Sequence, residues 1–338
     1  MYNSIKYFSV KKNTYASKKK VFIIAEIGSN HDNDYIKAIK LIDAAVTAKC
    51  DAVKFQLFKA DKIIQKKSPG WSVLKKLEMK PGWIAKLKKY CRNKKIFFSV
   101  SVFDLDGLEL VKKIGLDFYK IASPEIEDYL LIKKISKLNF PTIISTGAAK
   151  LSTISKTVEL FRASKHNNFA LLHCTSNYPT KDTELNLEMI FSLKKSFGIP
   201  VGYSDHSKKI YSSIIASAVG ACIVEKHITL DKKSSGPDHH FALEPNELIE
   251  MVNGIRVCEK AFRNSIKQPV SNNENFLRRK IVARKNIKKN TIISIKHLIS
   301  KRVKKNIGIK IFDIKKILGL RITKNIKKDQ EISWSNFK

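Results

Sequence analysis

The chain has 338 residues, 43% of them hydrophobic, and a formal net charge of +35. The length suits one large domain with a small companion, and apolar runs spread along the whole chain exclude a disordered protein. The charge comes from 56 Lys against 9 Arg in a chain rich in Ile and Asn. A/T-rich codons give that bias without any partner, and the aromatic-interleaved Arg of a nucleic-acid surface is absent. What the charge favours is an anionic substrate.

The opening stretch, "MYNSIKYFSVKKNTYASKKK", holds no apolar core of signal-peptide length, and no segment reaches the roughly 18 apolar residues of a membrane span. Five cysteines, Cys50, Cys91, Cys174, Cys222 and Cys258, are scattered with no C-x-x-C pair. They argue for reduced thiols in a cytoplasmic protein rather than a disulfide framework or a zinc site.

Short apolar, β-rich runs then recur: "VFIIAEIG" (21–28), "DAVKFQLF" (51–58), "IFFSVSVF" (96–103), "DFYKIAS" (117–123), "PTIISTG" (141–147), "NFALLHCTS" (168–176), "IPVGYSDHS" (199–207) and "ACIVEKHI" (221–228). Between them lie helix-length segments, such as Ile36, Ile39, Leu41, Ile42 and Val46 near a 3.6 period, and "LDGLELVKKIGLD". Eight strand–helix units in about 250 residues predict an α/β fold, a closed (β/α)₈ TIM barrel over residues 1–263. No G-x-G-x-x-G follows the first strand, which argues against a dinucleotide fold. Residues 264–275, "NSIKQPVSNNEN", read as a linker. Residues 276–338 carry 20 Lys and Arg against 3 Asp and Glu, with short β-like runs ("KIVARKNI", "NTIISI", "LRITKNI", "QEISWS") and no crossover helices. A unit so small is marginal alone and is expected to pack on the barrel or on another subunit.

A barrel enzyme works at the C-terminal ends of its strands. Those ends hold Glu26, Asn30 and His31; Lys54 and Gln56; Ser99 and Ser101; Lys120, Ser123 and Glu125; Ser145, Thr146 and Gly147; His173, Thr175, Ser176, Asn177 and Tyr178; Ser204, Asp205 and His206; and Glu225 with His227. In "IVEKHITL" (223–230) three ionisable residues interrupt a core strand, and a barrel mouth is where such charges find partners. A non-catalytic basic binding protein on a barrel scaffold is the rival from another class, and this density of Lys, His and Glu weighs against it.

His206 and His227 close adjacent strands, which lie about 4.8 Å apart, so both imidazoles can reach one ion. Two His with oxygen or water ligands suit Mn²⁺ or Mg²⁺ better than a closed structural zinc site. Lys54 and Lys120, with Ser101, Ser123 and the "STG" backbone, would form a phosphate pocket. A desolvated Lys can also form a Schiff base, as in aldolases. On the residues alone, Schiff-base chemistry and metal-assisted phosphoenol chemistry both stand.

The motifs "AEIGSNH", "DAVKFQ", "YKIAS", "STG", "HCTSNYP", "GYSDHS", "EKH" and "GPDHHFALEP", in that order, resemble the sialic acid synthase family over about residues 21–338. The resemblance implies a barrel joined to a C-terminal antifreeze-like (SAF) domain, here residues 276–338. It implies condensation of phosphoenolpyruvate with an N-acetylated hexose and water to a nine-carbon 2-keto-3-deoxy sugar acid plus phosphate. The expected acceptor is of the N-acetylmannosamine type; the alternative is a diacetamido-trideoxy hexose, as for legionaminic or pseudaminic acid. The metal would be Mn²⁺ or Mg²⁺ on His206 and His227. A homodimer is implied too, the SAF domain reaching the partner's active site.

By the same likeness, Lys54, Ser101, Lys120, Ser123, Ser145 and Gly147 fall where the family grips phosphoenolpyruvate, and Glu125 matches an acidic residue near the reacting carbons. Glu26, Gln56, Tyr178 and Asp238 match positions around the sugar, and Arg302 matches the SAF arginine on its acyl group. Asn177 and Ser204, polar strand ends, complete the expected substrate-binding set; Glu26 joins Glu125, Lys54 and Lys120 in the catalytic one. Glu225 either orients Lys226 or a water, or makes a structural salt bridge. Two motifs depart from the family pattern. Asn33 stands for a turn Gly, which Asn's tolerance of left-handed backbone allows, and "KRVK" stands for "KRPG" around Arg302.

Overall fold

The computed structural model describes residues 7–16, 19–262, 277–303 and 308–337. The chain divides into two compact units, Met1–Arg263 and Asn264–Lys338. The expected linker, 264–275, lies outside the described residues.

A short antiparallel hairpin, β1 (Phe8–Val10) and β2 (Asn13–Tyr15), comes first. Eight parallel strands follow: β3 (Phe22–Gly28), β4 (Ala52–Leu57), β5 (Phe97–Val102), β6 (Tyr119–Ile121), β7 (Thr142–Ser145), β8 (Phe169–His173), β9 (Val201–Asp205) and β10 (Ile223–His227). They close in that order into a barrel, β10 pairing with both β9 and β3. All eight sit where the apolar runs place them. Helices α1 (Tyr35–Thr47), α2 (Ala60–Ile63), α3 (Trp71–Leu77), α4 (Trp83–Asn93), α5 (Leu105–Ile114), α6 (Tyr129–Ser136), α7 (Leu151–Ala163), α8 (Glu188–Phe197), α9 (Tyr211–Val219) and α10 (Pro245–Ala261) fill the connections. None of the described helices is long and apolar enough to cross a membrane.

Helix α1 begins where the Asp34 carboxylate accepts from the Ile36 and Lys37 amides, two of the donors a helix start leaves unpaired. Its buried face is Ala38, Leu41, Ile42 and Ala45; Ile36, expected in that stripe, is exposed.

Strand side chains alternate between two cores with period two. On β3, Ile23, Ala25 and Ile27 face the helices, while Phe22 and Ile24 face the barrel axis. The interior cluster adds Ala52, Phe118, Ile143, Ala170, Leu172 and Ile223 from the other strands. It is so tight at Gly202 that a Cβ there would lie 2.4 Å from the Ile223 carbonyl oxygen and 2.6 Å from Leu172 Cδ2.

The hairpin was not anticipated. Phe8, Val10 and Tyr15 are fully buried and cap this cluster from the N-terminal side, with the Tyr15 and Phe22 rings 4.6 Å apart. Asn168 ties it down, its amide oxygen accepting from Ser9 N–H (3.0 Å) and its Nδ2 donating to Ser9 O (2.8 Å).

In the C-terminal unit, β11 (Arg279–Ala283) pairs antiparallel with β12 (Leu298–Arg302). Its core is almost all isoleucine: Ile281, Ile287, Ile293, Ile309, Ile317, Ile322, Ile326 and Ile332, with Ala283 and Leu298. Of the expected β runs, "KIVARKNI" supplies β11. "NTIISI", "LRITKNI" and "QEISWS" make single bridges instead (Ile292 with Arg321, Ile287 with Ile326, Val282 with Glu331). Arg302 is exposed at the end of β12.

Candidate active site

The alternation that sends Phe22 and Ile24 to the barrel axis sends Glu26 there too, two residues nearer the C-terminal end. Every strand but β8 repeats the step: Ala52 then Lys54 and Gln56; Phe97 then Ser99 and Ser101; Phe118 then Lys120; Ile143 then Ser145; Gly202 then Ser204 and His206; Ile223 then Glu225 and His227. These side chains meet in a pocket of about 280 Å³ at the C-terminal mouth. A roomier groove of about 540 Å³ between α6 and α7 is lined by Ile126, Tyr129, Ile132 and Leu160, and its charged residues, Glu127, Lys156 and Glu159, are exposed rather than buried.

At the pocket floor two buried lysines share two buried glutamates. Lys54 Nζ lies 2.6 Å from Glu26 Oε2 and 3.7 Å from Glu225 Oε2, and donates to Ser101 Oγ at 2.8 Å. Lys120 Nζ lies 3.5 Å from Glu225 Oε1 and donates to Ser145 Oγ at 2.7 Å. Gln56 Nε2 donates to Glu26 Oε1, and Ser204 Oγ to Glu225 Oε1, each at 2.9 Å. Burial raises the Glu26 carboxyl well above the carboxylate range, only partly offset by Lys54. Glu225 is equally buried, yet Lys120 and Lys54 together hold it low. Glu225 and Glu26 outweigh burial to raise Lys54, whereas burial prevails at Lys120 and lowers it. Removing one member of such a set strands a buried charge, at about 3–5 kcal/mol.

The imidazoles of His206 and His227 stand 5.7 Å apart, centroid to centroid. His206 Nδ1 pairs with the Thr175 carbonyl oxygen at 2.8 Å, which makes Nδ1 the protonated nitrogen and leaves Nε2 as the acceptor, with Ser204 Oγ 3.4 Å from it. His227 Nδ1 is buried with no hydrogen-bond partner among the described residues; Asp238 Oδ2 is its nearest acid, at 3.7 Å. Burial lowers both, His227 to about 4, so both are neutral at physiological pH, the state a ligand requires. The Tyr178 ring lies tilted against His206 (centroids 4.3 Å apart), and Phe241 meets His227 edge-on (5.1 Å). Among the described residues, no set of three or more His, Cys, Asp or Glu side chains is arranged to hold an ion. An ion on the two imidazoles would complete its shell with water or substrate oxygen.

Of the residues expected from sequence, Glu26, Lys54, Gln56, Ser101, Lys120, Ser123, Ser145, Tyr178, Ser204, His206, His227 and Asp238 line the pocket. Gly147 does not; its N–H donates to Ser123 Oγ (3.1 Å), and a Cβ on it would lie 2.6 Å from Ser176 Oγ. Asn177 is exposed and donates to Glu184 Oε2 (3.0 Å). Glu125 sits in the short 3₁₀ turn Pro124–Glu127 outside the lining. Its Oε2 is buried without a partner among the described residues, and burial raises its pKa to about 7. Arg302 belongs to the C-terminal unit. Lys226 departs from the expected trio: alternation turns it away from the mouth, to the outer side of β10, while Glu225 and His227 face in.

Sequence reasoning missed an apolar wall of Phe58, Leu74, Leu77 and Phe103. Phe58 and Phe103 each follow their strand's last residue, and their rings are 5.6 Å apart. Leu74 and Leu77 are an i, i+3 pair on α3, readable only once that insert is known to fold over the mouth. Asn33 takes φ +56°, the left-handed backbone expected of it.

Residues 41–267 match the NeuB family and residues 278–338 the SAF domain. The chain is 40% identical over 333 residues to the N,N'-diacetyllegionaminic acid synthase of Campylobacter jejuni, covering 93% of this chain and 99% of that one. It is 31% identical to the N-acetylneuraminate-9-phosphate synthase of Homo sapiens, covering 92% and 91%. Among solved structures it resembles the N-acetylneuraminic acid synthetase of Leptospira borgpetersenii in complex with citrate, at TM-score 0.77 and 32% identity, over 82% of this chain and 97% of that one. With the barrel, the charged mouth and these likenesses in agreement, the chain belongs to the NeuB family of sialic acid synthases, phosphoenolpyruvate-dependent condensing enzymes, and carries a SAF domain.

Proposed function

We propose that the protein condenses phosphoenolpyruvate with the open-chain aldehyde of a diacetamido-trideoxy hexose, with water consumed and phosphate released. The observation that carries the condensation is the buried Lys54–Glu225–Lys120 cluster beside two neutral imidazoles in one pocket. Two observations favour the diacetamido sugar over N-acetylmannosamine, the acceptor expected first from sequence. One is the 40% identity to a diacetyllegionaminic acid synthase. The other is the apolar wall: α3 has no buried residue of its own, so Leu74 and Leu77 offer their apolar surface to the pocket. A deoxy carbon and a second acetyl methyl satisfy that wall, where a hydroxyl would lose its water partners at a cost of about 1–3 kcal/mol.

In this reading Lys54 and Lys120, with Ser101, Ser123 and Ser145, hold the phosphate and carboxylate of phosphoenolpyruvate. His206 and His227 would hold a divalent cation, Mn²⁺ or Mg²⁺; their neutral state, the Nε2 acceptor of His206, which meets only Ser204 Oγ at 3.4 Å, and the unpartnered Nδ1 of His227 fit that task. When bound, the cation supplies Lewis-acid polarisation of the aldehyde oxygen. C3 of phosphoenolpyruvate forms the new bond to the aldehyde carbon, water adds at C2, and the C2–O bond to phosphate breaks. Two carboxyls raised by burial can carry the protons. Glu26 lines the pocket beside Gln56 at the acceptor, and Glu125, two residues after the pocket-lining Ser123 and with an unpartnered buried oxygen, takes the proton of the incoming water. Arg302 serves the acceptor's acyl group across a homodimer, a role that rests on the family likeness alone.

Incubation with phosphoenolpyruvate, Mn²⁺ and each sugar in turn, following phosphate release, tests the proposal. Turnover with the diacetamido sugar far above that with N-acetylmannosamine is expected; the opposite ranking overturns the acceptor, and release with neither overturns the condensation. Lys120→Ala should raise the phosphoenolpyruvate KM far more than the sugar's.

A further inference from the structure

Behind the two imidazoles, on the outer side of the same two strands, lies a second buried polar cluster that contributes nothing to the pocket lining. Lys226 and Asp205 are register partners on β10 and β9, both fully buried, with Nζ 3.1 Å from Oδ2. Lys226 Nζ also donates to the carbonyl oxygens of Ser207 (2.6 Å) and Lys209 (3.1 Å). Asp205 accepts from Ser207 N–H (2.8 Å) and from the hydroxyls of Ser212 (2.5 Å) and Ser213 (2.7 Å) in the first turn of α9.

Ser207, the residue after His206, is thus held at its amide nitrogen by Asp205 and at its carbonyl oxygen by Lys226. On the pocket side, the His206 carbonyl accepts from Thr180 N–H (3.0 Å) and the ring is pinned by the Thr175 carbonyl. Lys226 itself directly precedes His227. One ion pair therefore joins the two imidazole-bearing strands from behind. Folding alone does not call for it, since a well-packed apolar pair is often as stable as a buried ion pair. What charge adds is direction: Asp205 fixes the Ser207 amide and Lys226 the Ser207 carbonyl, the backbone atoms that follow His206.

We propose that Asp205 and Lys226 are positioning residues, their ion pair holding the His206 and His227 imidazoles at the separation a divalent cation requires. The proposal rests on the reading of those histidines as cation ligands. Outer residues of this kind typically tune metal affinity by about 10–100-fold.

The test is Mn²⁺ binding by calorimetry to the full-length protein, alongside phosphoenolpyruvate binding in EDTA. Lys226→Met strands the Asp205 charge and can fail to fold, so the double variant Asp205→Asn with Lys226→Met, which strands none, is measured with it. In a variant with native circular dichroism, Mn²⁺ affinity should fall about 10–100-fold while metal-free phosphoenolpyruvate affinity stays within about twofold. Wild-type Mn²⁺ affinity in the folded double variant overturns the positioning role, as does an equal loss of both ligands, which marks general loosening. His206→Ala serves as the control. Unchanged Mn²⁺ binding there refutes the cation site itself, whereas loss there with retention in the double variant refutes only the ion pair's part.

Discussion

The two halves of the barrel interior are made by the same strands and the same inward-facing positions, and they could hardly differ more. Below, Phe22, Ile24, Phe118, Ile143 and Leu172 form a dry core sealed by the hairpin. One inward step higher stand Glu26, Lys120, Ser145 and Glu225, and a further step higher the two histidines. The boundary runs between neighbours, for Lys120 and Ile143 are register partners on β6 and β7. A strand thus specifies two environments in a handful of residues, because its period of two returns each inward position to the axis about 7 Å further along. Charge is tolerated above because every ammonium there meets a carboxylate or hydroxyl.

Breaking the upper half at its proposed cation ligands should have the largest effect. His206→Ala or His227→Ala is expected to lower Mn²⁺-dependent phosphate release by about 10³-fold with the fold intact; full activity in EDTA would sink the assignment. Moving the boundary comes next. Ile143→Lys puts an ammonium into the dry half beside Lys120, and should cost about 4 kcal/mol or more in urea unfolding. A near-native midpoint would mean the lower half is wetter than its packing suggests.

The histidines also give the upper half a pH signature in metal-free protein. His227 titrates at about 4 when folded, against 6.5 for the free side chain. Between those values the unfolded chain binds the extra proton, so stability rises with pH across the window 4 to 6.5, by up to about 3 kcal/mol from this group. His227→Gln should flatten the profile by that amount, and an unchanged slope would show that the ring is not buried neutral. The smallest effect belongs to the apolar wall. Leu74→Asn should erode the preference for the diacetamido sugar over N-acetylmannosamine about tenfold in kcat/KM, and an unaltered ratio would remove α3 from acceptor choice.

Much of this was legible in the residues. Eight β-rich runs gave eight strands, and polar residues clustered at one end of each gave twelve pocket-lining positions. Simple alternation would also have separated Lys226 from Glu225 and His227, since consecutive strand residues cannot share a face. The hairpin escaped because three-residue strands leave too short a pattern, and its stability comes from Phe22 and Asn168 rather than from itself. The apolar wall escaped because Leu74 and Leu77 belong to an insert whose placement over the mouth no local periodicity encodes. In the C-terminal unit, isoleucines at irregular spacing make isolated bridges, and β12 arose from "LISKR", too mixed to stand out.

Asn168 clasps Ser9 across 159 positions of sequence. Residues 8–15 are translated long before their seat exists, for Phe118, Ile143, Ala170 and Ile223 must first be gathered into a ring. A segment made before any barrel strand is therefore among the last to find its seat, an apolar tether until the ring closes. Swapping Asn168 for Leu would leave the ring its strands but deprive that tether of its latch.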